Sequence, residues 1–394
     1  METERLILDT IRESDKEDYF THISHDREVL KTFICRYAES MEEFDFSSYP
    51  GREDLFAIRL KETGRLIGII LFFAGKDESC EIGYGIGSAF WNQGYATEAV
   101  KRFLDYLFLE KGFQKVYASF FTGNDASRSV MEKCGMSYSH LSEKELIYMD
   151  VPRDLVYYAI TDTERDNRSL IRFWDQALSL SEKDLSELEE GVPESLEELA
   201  PSQKLYEAAC SLGKRKKVLD YGCGNAWAGI LAAKSGCPDV TAADAAPGAV
   251  RTAECFAMAY GVERNMHAVC SDSGWLRSIP AGTYDGLFCS NVLDVIPTET
   301  ALEIVREFAR ITTLDACVII GLNYYLSPDA AAKRGQDLAE GNRLYVDGIL
   351  RLVSRTDEEW AKFFSPWFTV EKRTHFAWPG EKAETRRLFY LKKR

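Results

Sequence analysis

The chain has 394 residues, a formal net charge of −15 and 28% charged side chains, so it is too long for one typical core and two or three domains are expected. Both halves share the acidic balance, which argues against a nucleic-acid backbone as the main partner because phosphate neutralisation needs clustered Lys and Arg; residues 214–217 (KRKK) form a local basic patch. No charged-then-apolar leader opens the chain, no apolar run reaches the roughly twenty residues of a membrane span, and the ten cysteines are scattered without CxxC or Cys/His spacing, so the expectation is a cytoplasmic protein with no membrane association and no metal site.

In chain order, residues 55–73 (LFAIRLKETGRLIGIILFF) read as two strands around a Thr-Gly turn, and residues 80–87 (CEIGYGIG) as a third. Beyond Gly94, the residues Ala96, Ala99, Val100, Phe103, Leu104, Leu107 and Phe108 recur at helical spacing. A strand therefore feeds a helix N-terminus, where backbone N–H groups and the helix dipole can cradle a pyrophosphate. Taken alone, Gly94 equally fits a plain tight turn. A further strand, residues 115–121 (KVYASFF), leads into the loop and helix of residues 124–136 (NDASRSVMEKCGM).

The strings EIGY, WNQGYATEA and NDASRSVMEKCGM resemble the coenzyme A motifs of the GNAT acetyltransferases, in particular the ribosomal-protein-alanine acetyltransferase branch. The resemblance implies a mixed-sheet α/β domain over residues 1–160 that transfers acetyl from acetyl-CoA to an amine. It implies the pyrophosphate on Gln93, Gly94, Tyr95, Ala96 and Thr97 and the pantetheine arm near Asn124 and Ser127. An ammonium acceptor must lose a proton before its nitrogen attacks, which calls for a carboxylate. Glu81 is the candidate base; a solvated strand-end carboxylate is its plain alternative. A splayed strand over residues 82–85 would aim a backbone N–H at the thioester oxygen. Two positions depart from the family pattern. Trp91 stands where many members carry Arg or Gln, and Met131 stands where many carry a Tyr that protonates the leaving thiolate, which leaves Ser127 as the candidate acid.

Residues 161–201 are strongly acidic and read as an exposed connector with short helices. Within them, residues 169–178 (SLIRFWDQAL) have helical spacing and suit either a helix over a cofactor mouth or ordinary packing. Next, residues 218–226 (VLDYGCGNA) run from an apolar strand through Gly222 and Gly224 into a helix. A dinucleotide fingerprint needs a third glycine where Trp227 stands, so a pyrophosphate would be crowded there. Asp244 closes the next apolar run, VTAAD, twenty residues after Gly224. Strands and helices then alternate, with a helix-free stretch between MHAVC and YDGLFCS, which means a parallel sheet with right-handed crossovers. The runs FTVEKRTHFAW and RRLFYLKK suit an antiparallel hairpin at its edge.

The VLDYGCGNA string resembles the first motif of class I S-adenosylmethionine (SAM) methyltransferases. The resemblance implies a Rossmann-like seven-stranded domain over residues 202–394, capped by residues 161–201. By position within it, Asp220, Gly222 and Gly224 flank the methionine tail, Asp244 takes the ribose, Asp272 and Ser273 reach the adenine, and Asn291 faces the reacting methyl. Asp294, with Asn323, Tyr324 and Tyr325, is a candidate to face the acceptor. The tetrad (D/N)PP(Y/F) is absent from SNVLDVIP, which disfavours methylation of adenine or of glutamine side chains. The whole is an α/β chain of two domains using acetyl-CoA and SAM, with small-molecule acceptors and a cationic amine as the expected acetyl acceptor. Two alternatives stand beside it: the first domain is a sensing or docking module, or it acetylates protein amino termini.

Overall fold

The computed structural model describes residues 1–193, 195–271 and 274–394, in two compact units, Met1–Arg165 and Asp166–Arg394. In the first unit, strands β1 (Leu6–Thr10), β2 (Leu55–Leu60), β3 (Leu66–Ala74), β4 (Ser79–Ile86), β5 (Lys115–Phe121), β6 (Ser137–Tyr148) and β7 (Val151–Thr161) form one sheet in the order β1-β2-β3-β4-β5-β7-β6. Every neighbouring pair is antiparallel except β4 and β5. A parallel pair cannot be joined by a hairpin, and the crossover here is helix α1 (Tyr95–Asp105), continued by one wider turn over Tyr106–Glu110. Its apolar stripe, Val100, Phe103, Leu104 and Leu107, is fully buried against Ile58, Ile67, Ile82 and Val116.

The parallel pairing of β4 with β5 stops at Ile82 and Ala118. Beyond that point β4 stays with β3 as far as Ile86, and β5 stays with β7 as far as Phe121. The sheet therefore splits into a V directly ahead of the N-terminus of α1. Helix α2 (Asp125–Lys133) follows β5 on the same side as α1.

The second unit holds the rest of helix α3 (Asp162–Leu178) and a seven-stranded sheet. Its strands are β8 (Val218–Tyr221), β9 (Val240–Asp244), β10 (Met266–Cys270), β11 (Tyr284–Ser290), β12 (Thr312–Leu322), β16 (Phe368–Phe376) and β17 (Arg386–Lys393), in the order β10-β9-β8-β11-β12-β17-β16. The first five are parallel, and β17 and β16 close the edge antiparallel. Strand β8 is wholly buried and β12 is buried from Val318 to Leu322, as helices cover both faces of the sheet there.

Two parts differ from the sequence reading. The stretch between β10 and β11 is not helix-free, since Trp275–Ser278 form one helical turn held by Leu276 in the core. The acidic segment after residue 161 is not merely an exposed connector: α3 runs seventeen residues, followed by a nine-residue helix, Glu182–Glu190. A three-stranded sheet, β13 (Leu338–Ala339), β14 (Arg343–Val346) and β15 (Ile349–Val353), was not foreseen. Its Leu350 and Val353 pack on Leu170 of α3.

Gly222 fixes how close the loops above the sheet can come. Its φ is +68°, and a Cβ there would lie 2.1 Å from Cγ2 of Val292. Replacing Gly222 with Ala is expected to destabilise the second unit by about 2–4 kcal/mol, combining left-handed backbone strain with overpacking. Urea unfolding followed by a probe in that unit checks this; an unchanged midpoint would refute the close approach.

Candidate active sites

At the first site, Gly94 caps α1 in the left-handed conformation and donates no side chain to the helix end. The N–H groups of Tyr95, Ala96 and Thr97 thus lie in the first turn, where no carbonyl of the helix can reach them. Arg5 reinforces this end. It donates to the carbonyl of Gln93 at 3.0 Å, pairs with Glu98 at 2.6 Å and covers the Tyr95 ring at 4.5 Å. Trp91 Nε1 donates to the carbonyl of Ile86 at 2.7 Å, tying the loop to the end of β4.

Across the V, Asn124 caps α2 by accepting the Ser127 N–H at 3.2 Å. The Ser127 hydroxyl lies 2.9 Å from the hydroxyl of Tyr84 on β4. Met131 is fully buried in the core and offers no proton donor to the cleft. Just past β4, the Gly87 N–H bonds the carbonyl of Ile67 in β3. Strand alternation then turns the N–H groups of Tyr84 and Ile86 the other way, into the gap left by β5.

Cys80, Ile82 and Ile86 face the core under α1, so Glu81 projects from the opposite face of the sheet. It accepts from Ser119 Oγ at 2.7 Å. Burial, above all, pushes its carboxyl above the ordinary range, and the charge of Glu145 adds to this, while the Ser119 bond and His140 pull it back. Tyr157 donates to Glu145 at 2.7 Å, and the His140 ring stacks on Tyr157 at 4.5 Å. Glu81, Ser119, Tyr157, Glu145 and His140 thus form one polar group on the face away from α1 and α2.

The second site is a cavity of about 800 Å³ at the carboxyl edge of the parallel strands. Its floor is the loop from β8 into helix α4 (Trp227–Lys234), where the N–H groups of Gly222 and Cys223 bond the Ala243 carbonyl. Asp244 lines the cavity and accepts from Gly224 N–H at 3.0 Å and Ala246 N–H at 2.9 Å; burial pushes its carboxyl up against those bonds. Gly222, Gly224 and Asn291 line the cavity with it. Asn291 has φ +57°, and its buried Oδ1 has no partner. Asp272 and Ser273 lie outside the described residues.

Two sequence candidates sit below the cavity rather than in its wall. Asp220 is 3% exposed and accepts the Gly229 N–H at 2.9 Å; burial raises it to about 7. A Cβ at Gly229 would meet Met266 Sδ at 3.0 Å, so Gly229 supplies the close helix-to-sheet packing that Trp227 does not. Asp294 is fully buried and raised to about 6, chiefly by that burial. Its carboxylate accepts from the Asn323 N–H at 2.5 Å and its carbonyl from the Val353 N–H at 2.7 Å. It pins the loops after β11 and β12 to β15. The Asn323 side chain is taken by Arg386, and Tyr325 is exposed.

Residues 5–137 match the acetyltransferase (GNAT) domain family, and residues 218–314 match a methyltransferase domain family. The chain is 31% identical over 169 residues to the uncharacterized N-acetyltransferase YoaA of Bacillus subtilis (strain 168), covering 41% of this chain and 95% of the relative. It belongs to the GNAT acetyltransferase family and carries a methyltransferase domain. The putative ribosomal N-acetyltransferase YdaF of the same bacterium is 31% identical over 88 residues, 22% of this chain and 48% of the relative. A solved GNAT acetyltransferase from Bacillus anthracis overlays with TM-score 0.38 at 28% identity, covering 41% of this chain and 97% of that one.

The protein is thus an acyltransferase and a methyltransferase, using acetyl-CoA in the GNAT unit and SAM in the methyltransferase unit. The residues fit both. The open first turn of α1 beside Arg5 suits a pyrophosphate, and the orphaned Asn291 Oδ1 in the cavity wall suits a hydrogen-bonding ligand. Sequence reasoning missed Arg5, Tyr84, Ser119 and Tyr157 in the GNAT unit, since each meets its partner on another element, Arg5 and Tyr84 on a helix or the loop before it and Ser119 and Tyr157 on a neighbouring strand. Of these only Tyr84 carried a signal, as the last residue of EIGY.

Replacing Asp244 with Ala is expected to weaken SAM binding by about 1–3 kcal/mol, roughly 5- to 150-fold, through unpaired ligand hydroxyls and a loosened Gly224 loop. Calorimetric titration with SAM reads it; an unchanged affinity would remove Asp244 from the site.

Proposed function

We propose that the GNAT unit acetylates a primary amine with Glu81 as the base and that the methyltransferase unit methylates a small-molecule acceptor. When bound, acetyl-CoA supplies an activated acetyl group and SAM an activated methyl group. The observation that carries the first half is Glu81 itself, raised by burial, bonded to Ser119 and placed beside the V where β4 and β5 part. A carboxylate lifted toward the working pH takes the ammonium proton more readily than an ordinary one. The outward N–H groups of β4 face the charge that develops on the acyl oxygen. Ser127, backed by the Tyr84 hydroxyl, stands in for the missing helix tyrosine as the group that returns a proton to the departing thiolate. Glu145 beside Glu81 supports a cationic acceptor.

In the methyltransferase unit, the residues align donor and acceptor, and Asn291, just past the end of β11, offers the cavity a buried Oδ1 that has no partner. All ten cysteines are free, and among the described residues no helix is long and apolar enough to cross a membrane; both fit a cytoplasmic protein, and the net charge of −15 supports small molecules over nucleic acid as its substrates. The relative named as a putative ribosomal N-acetyltransferase favours a second reading, in which the amine is a protein amino terminus.

Replacing Glu81 with Gln is expected to lower acetyl transfer by roughly 10²- to 10⁴-fold while acetyl-CoA affinity stays unchanged. Steady-state rates on a panel containing spermidine and an amino-terminal alanine peptide, with calorimetry for acetyl-CoA, check this and separate the two readings. Unchanged turnover would dismiss Glu81 as the base. Replacing Ser119 with Ala removes a bond that lowers the Glu81 carboxyl, so the acid limb of the pH–rate profile is expected to move to higher pH. A limb that stays put, or moves down, would mean that Glu81 does not govern it.

A further inference from the structure

The methyltransferase cavity has room for more than a nucleoside. Its roughly 800 Å³ lies near the upper end of the 300–1,000 Å³ typical of ligand pockets, and helix α3 runs along its length. At the C-terminal end of α3, Leu178 Cδ1 lies 3.9 Å from where a Cβ on Gly224 would be, and its carbonyl accepts from Thr252. That end closes over the glycine loop and Asp244. About eleven residues earlier, some 16 Å along the helix, Asn167 Nδ2 donates to Thr300 Oγ1 at 2.8 Å, and Leu170 and Trp174 pack in one cluster with Ile296. This second end of the cavity lies past Asn291, on the loop that continues from β11.

The walls of that end are apolar. Leu170, Ile171 and Trp174 face it from α3, and Val295 and Ile296 from the loop. Ile171 is 39% exposed although it lines a cavity. Large apolar side chains left open in a concave site mark ligand contact. Trp174 is held in place by the Arg351 guanidinium, which sits 4.1 Å from the neighbouring Phe173 ring and 5.7 Å from Trp174. Of the carboxylates that border the cavity, Glu307 is held by Arg310 at 2.6 Å, and Glu303 is largely exposed, 3.8 Å from Arg277. A polyammonium ion placed against the apolar walls would lose its hydration there.

We propose that this end of the cavity, bounded by Leu170, Ile171, Trp174, Val295 and Ile296 with Asn167 and Thr300 at one edge, binds the methyl acceptor, and that the acceptor is a flat, largely apolar ring molecule with one polar group. The inference rests on the reading of the second unit as a methyltransferase of small molecules. In the transfer, the bond from the donor sulfur to the methyl carbon breaks and its electron pair returns to sulfur. The acceptor's lone pair forms the new bond. The five named apolar wall residues carry no base, so the accepting atom is one that holds a lone pair at neutral pH, such as a ring nitrogen, and no proton need leave. The acceptor thus differs in kind from the cationic amine proposed for the GNAT unit.

The test uses the full-length protein saturated with S-adenosylhomocysteine, with quinoline as the ring probe and spermidine as the cationic one. Calorimetry is expected to show quinoline binding that weakens at least about tenfold in Trp174→Ala and in Ile171→Asp, with SAM affinity unchanged in both. Ile171 is partly exposed, so its replacement leaves the fold intact and keeps the test valid if Trp174→Ala destabilises the helix. No quinoline binding, or binding that neither variant alters, would overturn the proposal, as would spermidine binding that is lost in Trp174→Ala. Failure of the wild-type protein to bind SAM would instead overturn the methyltransferase reading itself, and the same titrations report it.

Discussion

Both cofactor sites depend on one constraint: parallel strands cannot be joined by a tight turn. A parallel pair requires a crossover, and a helix that leaves the carboxyl end of a strand presents its unpaired N–H groups there. In the first unit the constraint acts once, at β4, α1 and β5, and this is the only parallel pair in that sheet. In the second it acts along the whole run from β8 to β12. The two sheets are built differently, yet each opens its cleft where a strand hands over to a helix. The early end of the β4–β5 pairing, at Ile82 and Ala118, gives the first cleft its depth; the glycine loop pressed against Val292 gives the second its floor.

Buried charge is used in two ways. Glu81 is half-buried and reachable, so its raised affinity for protons suits proton transfer. Asp220 and Asp294 are raised for the same reason, desolvation, but both are sealed in and hold backbone N–H groups that no helix or strand satisfies. Their work is to fix backbone: Asp220 anchors the first turns of α4, and Asp294 ties the loops after β11 and β12 to β15.

Much of the architecture was legible because it is local. The apolar runs of β8 and β9, the helical stripe of α1 and the glycines between strand and helix each lie within a few residues of one another, and backbone periodicity fixes what they become. Gln93 to Thr97, Gly222, Gly224 and Asp244 could be picked out for the same reason. What stayed hidden was made by pairing across strands. Ser119 reaches Glu81 only because β5 lies beside β4, and Tyr84 reaches Ser127 only because α2 folds back over the sheet. The three-stranded sheet over residues 338–353 has short strands of mixed polarity, and its apolar face becomes apparent only against α3.

The sequence by itself determined that the chain holds two α/β units, that each carries a strand–glycine–helix turn suited to a nucleotide-bearing donor, that Asp244 closes the strand beside one glycine loop, and that Glu81 lies at the start of the strand that feeds the other turn. It could do so because φ freedom at glycine, helix dipoles and apolar periodicity are properties of short segments. The tertiary structure alone decided which carboxylates are sealed and which stay partly open, that Arg5 meets Gln93 and Tyr84 meets Ser127, and that an acidic, connector-like segment lines the cavity of the second unit. Burial and desolvation are set by what residues far apart in the chain bring next to each other, and no local pattern contains that information.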